Sequence, residues 1–223
     1  MHERPIARLL YALTALSAGV GVVLAIALET AGTDSKPALD PGLYSFADEN
    51  ALGRFADMVS YFTEWSNVVV AVVFALLALR TAGRGRLMHV LLLDALLMII
   101  VTGIVYNAIL APGAPPLHGW PLVSNTLVHI VSPILAVVTW AVFGPRGWLH
   151  RSLIPAALVI PIIWLVYTLI RGAIVDAYPY GFINVVDLGY PMAIVNVLVI
   201  VALGIGICFL LIGIDRLARR WSG

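Results

Sequence analysis

Two short runs in this sequence place a hydroxyl and an imidazole where acyl-transfer chemistry could use them. In YFTEWSN, Thr63 is followed by Asn67 four residues later, so the two share one face of a helix, while Glu64 is turned about 100° away. In NTLVHIVSP, Asn125 precedes His129 by four and Ser132 follows it by three, which again makes a single polar stripe. A hydroxyl is a weak nucleophile unless a base removes its proton, and an imidazole within hydrogen-bond reach is the usual base. Neighbouring amides could then stabilise the tetrahedral oxyanion.

The segments carrying these residues are not those of a water-soluble domain. Hydrophobic residues make up 61% of the 223 positions and charged ones only 11%, against about 25% charged in an ordinary globular domain. The apolar residues fall into runs of roughly 20, the length that crosses a hydrocarbon core of about 30 Å. Backbone polar groups in lipid must be satisfied within the segment, so the runs are expected to be helices. The expected fold is all-α, a single bundle of six transmembrane helices over 1–223, with spans at about 6–28, 56–79, 87–110, 121–143, 152–171 and 190–214. The first run could be mistaken for a signal peptide, but it is too long for a typical apolar region of one and reads as a span.

Orientation follows from the 13 Lys and Arg residues. Ten lie on one side: Arg4, Arg8, Arg80, Arg84, Arg86, Arg146, Arg151, Arg216, Arg219 and Arg220. Lys36, Arg54 and Arg171 lie on the other, which places both termini in the cytoplasm. The expected location is a bacterial cytoplasmic membrane, crossed several times. The net charge of +1 gives no reason to expect nucleic acid as a partner. Membrane lipids and a lipid-like ester or fatty acid are the expected partners.

With Cys208 the only cysteine, neither an intramolecular disulfide nor a multi-cysteine metal site can form. A haem held by two histidines would need a second imidazole at the level of His129, and His89, His118 and His150 lie at span ends or in loops. No metal or cofactor is therefore expected.

The connections read differently from one another. Residues 29–55 form an acidic external loop, a candidate lid, and APGAPPLHGWP is a stiff turn with Trp120 at the interface. The stretch from Arg171 to Tyr190 is too aromatic and apolar for a simple solvated loop, and backbone dipping into the membrane edge must line a cavity rather than face lipid.

On these span limits Thr63 lies about seven residues, or roughly 10 Å, inside the outer boundary, and His129 about eight residues, or roughly 12 Å. Tyr106 and Asn107 at the outer end of span three, Tyr167 and Arg171 at that of span five, and Asn196 early in span six join the same layer. Bland readings exist for each. A threonine in a membrane helix commonly bonds its own i−4 carbonyl, and buried asparagines commonly join helices. Glu64 could pair with Arg171 or face the headgroups, and Asp94 with Arg84 or Arg86. Glu64 or Asp187 could in principle orient the imidazole.

SYFTEWSNVVVAVVFALLALR (Ser60 to Arg80), NTLVHIVSPILAVVTWAVFGP (Asn125 to Pro145) and LVYTLIRGAIVDAYPYGFINV (Leu165 to Val185) resemble the androgen-induced family of multi-span proteins and its six-span bacterial relatives. The likeness covers about 55–215. Animal members are membrane-embedded threonine hydrolases that cleave fatty acid esters of hydroxy fatty acids with one threonine and one histidine. The resemblance implies that Thr63 is the nucleophile and that His129, four residues after Asn125 and shortly before Pro133, is the base.

The expected function is an intramembrane esterase acting on a lipid-like ester. Asn67, Asn107 and Asn125 are candidate oxyanion or orienting groups, Tyr106 is a further site residue, and Tyr167 or Arg171 could hold a substrate carboxylate. Two rivals use the same polar layer without chemistry: a transporter or lipid-binding protein, and a scaffold or regulatory protein in which the layer only fixes helix packing.

Overall fold

The computed structural model describes residues 5–33, 41–45, 50–79, 83 and 85–221. Among them there is no strand, and six helical segments are long and apolar enough to cross a membrane: Pro5–Thr30, Phe62–Leu79, Arg86–Gly113, Gly119–Phe143, Arg151–Val175 and Val185–Arg220. Among the described residues the fold is all-α, and the length and composition of its helices are those of a multi-span membrane protein. Lys36 and the basic residues Arg4, Arg80 and Arg84 fall outside the described residues.

Helix α1 (Pro5–Thr30) packs mainly on α3 (Phe62–Leu79), and α4 (Arg86–Val105) lies at the centre between α3, α6 (Ser132–Phe143) and α9 (Val185–Trp221). From Leu92 to Ile99 every residue of α4 is buried, as expected of a helix that is apolar all round and enclosed by others. Leu9, Leu13, Leu16, Val20 and Val23 instead form an exposed apolar face on α1, which suits lipid rather than water. Small hydroxyls join the helices: Ser17 to Ser132 at 2.8 Å, Thr14 to Thr139 at 3.3 Å and Ser66 to Thr102 at 2.8 Å. Such pairs satisfy polar groups that hydrocarbon cannot.

The second span differs from the sequence expectation. It does not run unbroken from residue 56: α2 (Ala51–Met58) is a separate short helix capped by Asn50, whose side chain accepts the amides of Leu52 and Gly53. The chain turns at Val59, Ser60 and Tyr61 before α3 begins. Thr63 is consequently in the first turn of its helix, not seven residues deep.

Two π-helical turns interrupt the spans on either side of the centre. Tyr106–Leu110 extends α4, and Leu127–Val131 joins α5 (Gly119–Thr126) to α6. Such turns are rare and gather at functional sites. The second is pressed against α1, where a Cβ on Gly21 would stand 2.6 Å from Val128 Cγ1, and Ser124 Oγ donates to the Gly21 carbonyl at 3.1 Å.

The fifth connection is shorter than expected, because α8 (Val159–Val175) continues past Arg171 and α9 starts at Val185. Its Tyr178 forms an isolated bridge with Leu43 of the first loop: Tyr44 N–H donates to the Tyr178 carbonyl and Tyr178 N–H to that of Gly42. Tyr178 lies so close to α8 that any side chain at Gly172 would collide with its ring. The connection after α8 and the one before α2 are thereby fastened together. Helix α9 is broken at Gly189 (φ 68°, ψ 161°), just before Pro191, a conformation glycine adopts without a steric penalty.

Candidate active site

Thr63 Oγ1 and His129 Nε2 are 3.1 Å apart. Thr63 comes from the start of α3 and His129 from the middle of a π turn, and the backbone geometry of that turn orients the ring. The opposite nitrogen, Nδ1, lies 3.2 Å from the carbonyl of Asn125, four residues earlier. A carbonyl can only accept, so this contact places the proton on Nδ1 and leaves the Nε2 lone pair facing the Thr63 hydroxyl. Thr63 therefore donates to His129, and the group that orients the ring through Nδ1 is a backbone carbonyl, not an acidic side chain. Among the described residues neither Glu64 nor Asp187 makes a hydrogen bond to the imidazole, and Asp187 is exposed.

The ring is fixed further by stacking. Tyr106, the first residue of the other π turn, lies parallel to His129 with ring centroids 3.8 Å apart and an interplanar angle of 17°. Its hydroxyl accepts the Asn125 side-chain amide at 2.6 Å. Asn125 thus orients the imidazole with its backbone and the stacked phenol with its side chain.

The remaining amides hold the helices in place. Asn67, fully buried, donates to the carbonyls of Thr63 at 3.0 Å and Val128 at 3.2 Å, which joins the segment carrying the hydroxyl to the one carrying the imidazole. Asn107 donates to Gly103 at 2.8 Å and to the His129 carbonyl at 3.2 Å. With their amide hydrogens directed at backbone carbonyls, neither is free to serve as the oxyanion donor expected from the sequence. Asn196 donates to the Phe182 carbonyl at 2.9 Å and positions the fifth loop.

Two further expectations are corrected. Arg171 does not pair with Glu64; its Nη2 contacts Asp57 Oδ1 at 2.5 Å, and its guanidinium lies over the Tyr44 ring at 4.8 Å. Asp57 belongs to α2, the helix created by the break at residues 59–61, which brings its carboxylate back toward α8. Tyr167 bonds Ser60 Oγ at 3.1 Å. Neither Arg171 nor Tyr167 lines the two cavities that border Thr63. Asp94 is buried in α4 with Oδ1 lacking a partner among the described residues, and Arg86 reaches the Ser152 carbonyl instead of it. Arg84 lies outside the described residues.

Two cavities meet at the Thr63–His129 pair. One, about 640 Å³, opens among the loops at the Thr63 end of the bundle and is lined by Glu64, Asn125, His129, Tyr44 and Pro115 among others. The other, about 120 Å³, is a narrow apolar channel between α4, α8 and α9 that reaches Leu97, Leu158 and Gly204. Thr63, Tyr106, Leu110, Tyr180 and Phe182 border both. The hydroxyl stands at the waist between a wide vestibule and a slot of hydrocarbon character.

Tyr180 and Phe182 were not singled out from the sequence. The available signal was the aromatic, apolar character of YPYGF, which points to a cavity wall but does not say which cavity. No protein-family model, curated protein or solved structure matches the chain.

Proposed function

We propose that this protein is an intramembrane threonine hydrolase that cleaves a lipid-like ester, with Thr63 as nucleophile and His129 as base. The observation that carries this reading is the 3.1 Å contact between Thr63 Oγ1 and an imidazole whose other nitrogen is held by a carbonyl. The likeness of the Thr63, His129 and Tyr-Pro-aromatic segments to the androgen-induced family supports the same assignment. So does the cavity pair, whose channel suits an acyl chain and whose vestibule suits the alcohol half.

In the first step the Thr63 oxygen bonds to the ester carbonyl carbon as its proton passes to His129 Nε2. The tetrahedral intermediate collapses with cleavage of the bond to the alcohol oxygen, which takes the proton from His129. Water then attacks the acyl-threonine with His129 again as base, releasing the fatty acid and restoring the hydroxyl. The imidazolium formed midway keeps Nδ1–H on the Asn125 carbonyl throughout.

Orientation follows from the bias of basic residues, which puts both termini in the cytoplasm and the vestibule on the external side of a bacterial cytoplasmic membrane. The described lining of the vestibule contains no lysine or arginine and includes Glu29 and Glu64. Neutral esters are therefore as suitable as fatty acid esters of hydroxy fatty acids, whose free carboxylate finds no cation there.

Purified protein assayed on p-nitrophenyl acyl esters, neutral glycerol esters and esters of hydroxy fatty acids tests the reading. Turnover by the parent, lost in Thr63→Ala and in His129→Ala with both variants still folded, supports it. Undiminished turnover in both variants refutes the pair. Retention of fatty acid without hydrolysis of any ester would instead favour a lipid-binding protein.

A further inference from the structure

The hydrolase reading leaves few donors for the oxyanion, since Asn67 and Asn107 direct their amides at backbone carbonyls and Asn125, away from the apolar channel, gives one of its two hydrogens to Tyr106. A group bordering both cavities beside Thr63 is better placed to supply one. Of the five residues that do so, Leu110 and Phe182 have no polar side chain, Thr63 is the nucleophile, and the Tyr106 hydroxyl is bound to Asn125. Tyr180 is left.

Its position is rigidly determined. Tyr180 is 6% exposed, with its ring stacked on Phe182 at 5.1 Å (7° between planes), edge-on to Tyr61 at 5.3 Å and tilted against Trp164 at 6.2 Å. All of these contacts use the ring and hold the residue where both cavities border Thr63. From its placement at the waist and from the commitment of the Asn67 and Asn107 amides, we infer that the Tyr180 hydroxyl donates the hydrogen bond that stabilises the oxyanion formed when Thr63 attacks the ester, a role that rests on the hydrolase reading.

The surroundings of the hydroxyl suit that role. Burial holds the Tyr180 phenol above its ordinary range, offset in part by its neighbours at the start of α3. The phenol thus keeps its proton and remains a donor. A donor that is fixed before the reaction needs no reorganisation during it.

The test is Tyr180→Phe, which preserves the ring contacts and removes only the hydroxyl. With the full chain in detergent or liposomes and p-nitrophenyl esters as probe, kcat should fall by about 100- to 1000-fold with KM little changed. Thermal stability should stay near the parent's, which a packing role would not predict. An unchanged kcat overturns the inference while leaving the Thr63–His129 pair intact. A parent with no Thr63-dependent turnover overturns the hydrolase reading, and this role with it. If Tyr180→Phe does not fold, 3-fluorotyrosine at position 180 replaces it as a shape-conserving stronger donor; a shift in kcat at constant KM supports the role, and identical kinetics overturn it.

Discussion

Pro133 stands four residues after His129 and has no N–H to return to the preceding turn. Two carbonyls of that turn, those of Val128 and His129, accept side-chain amides from neighbouring segments instead, from Asn67 and Asn107, each at 3.2 Å. The missing proline N–H frees one of these acceptors, and the register step of the π turn, which sends the Ser132 N–H back to Leu127, frees the other; through them α3 and the π turn after α4 grip the histidine-bearing segment.

Pro133→Ala should consequently move stability and activity in opposite directions. An alanine N–H can rebuild the helical ladder, removing a proline penalty of up to about 3 kcal/mol, so the thermal midpoint in detergent should rise. The same ladder draws the π turn toward α-helical register and shifts the imidazole, which should lower kcat by about 100-fold. Turnover equal to the parent's would show that the π turn does not position His129.

Asn67→Ala removes two donations made by a fully buried side chain, one within α3 to Thr63 and one across to the Val128 carbonyl. Single hydrogen bonds within membrane bundles average about 0.6 kcal/mol, with a maximum near 1.7, so a loss of about 1–2 kcal/mol is expected. Equilibrium unfolding in mixed micelles measures it, and a variant as stable as the parent contradicts the bridging role.

The Asp57–Arg171 pair should behave as a buried charge pair with one replaceable solution. Arg171→Leu takes the cation from a nearly buried carboxylate and should destabilise by about 3 kcal/mol. The double change Asp57→Leu with Arg171→Leu should recover most of that loss, since neither charge then needs a partner. A double-mutant cycle provides the reading; purely additive losses would mean that the two do not interact.

Gly204 borders the apolar channel, and a Cβ there would meet only the flexible end of Leu97 at 3.3 Å. Gly204→Leu should therefore project into the channel and shorten the acyl chain that fits. Activity on long-chain p-nitrophenyl esters should fall, at about 0.8 kcal/mol for each methylene excluded from apolar surroundings, while short-chain esters remain unaffected. A uniform loss across chain lengths would argue that the acyl group lies elsewhere.

The helical architecture was legible because a run of about 20 apolar residues has few structural options in lipid. The two polar stripes were legible for a similar reason: spacing of four in Thr63–Asn67 and Asn125–His129 fixes a shared face whatever the helix packs against. The break at residues 59–61 was not, since YFTEW continues the apolar pattern without a glycine or proline to mark a turn. With α2 hidden, Asp57 read as part of a span and its pairing with Arg171 could not be seen. Tyr180 was obscured for another reason, since it reaches Thr63 only when the fifth loop folds back over the bundle, and that return leaves no periodic trace.

On the hydrolase reading, the meeting of two cavities at Thr63 makes recognition of the two halves of a substrate separable. The walls of the slot and those of the vestibule share only a few side chains, and substitutions far apart with no common partner change free energies almost additively. Selectivity for chain and selectivity for headgroup can therefore drift, or be engineered, one at a time around an unaltered reaction centre.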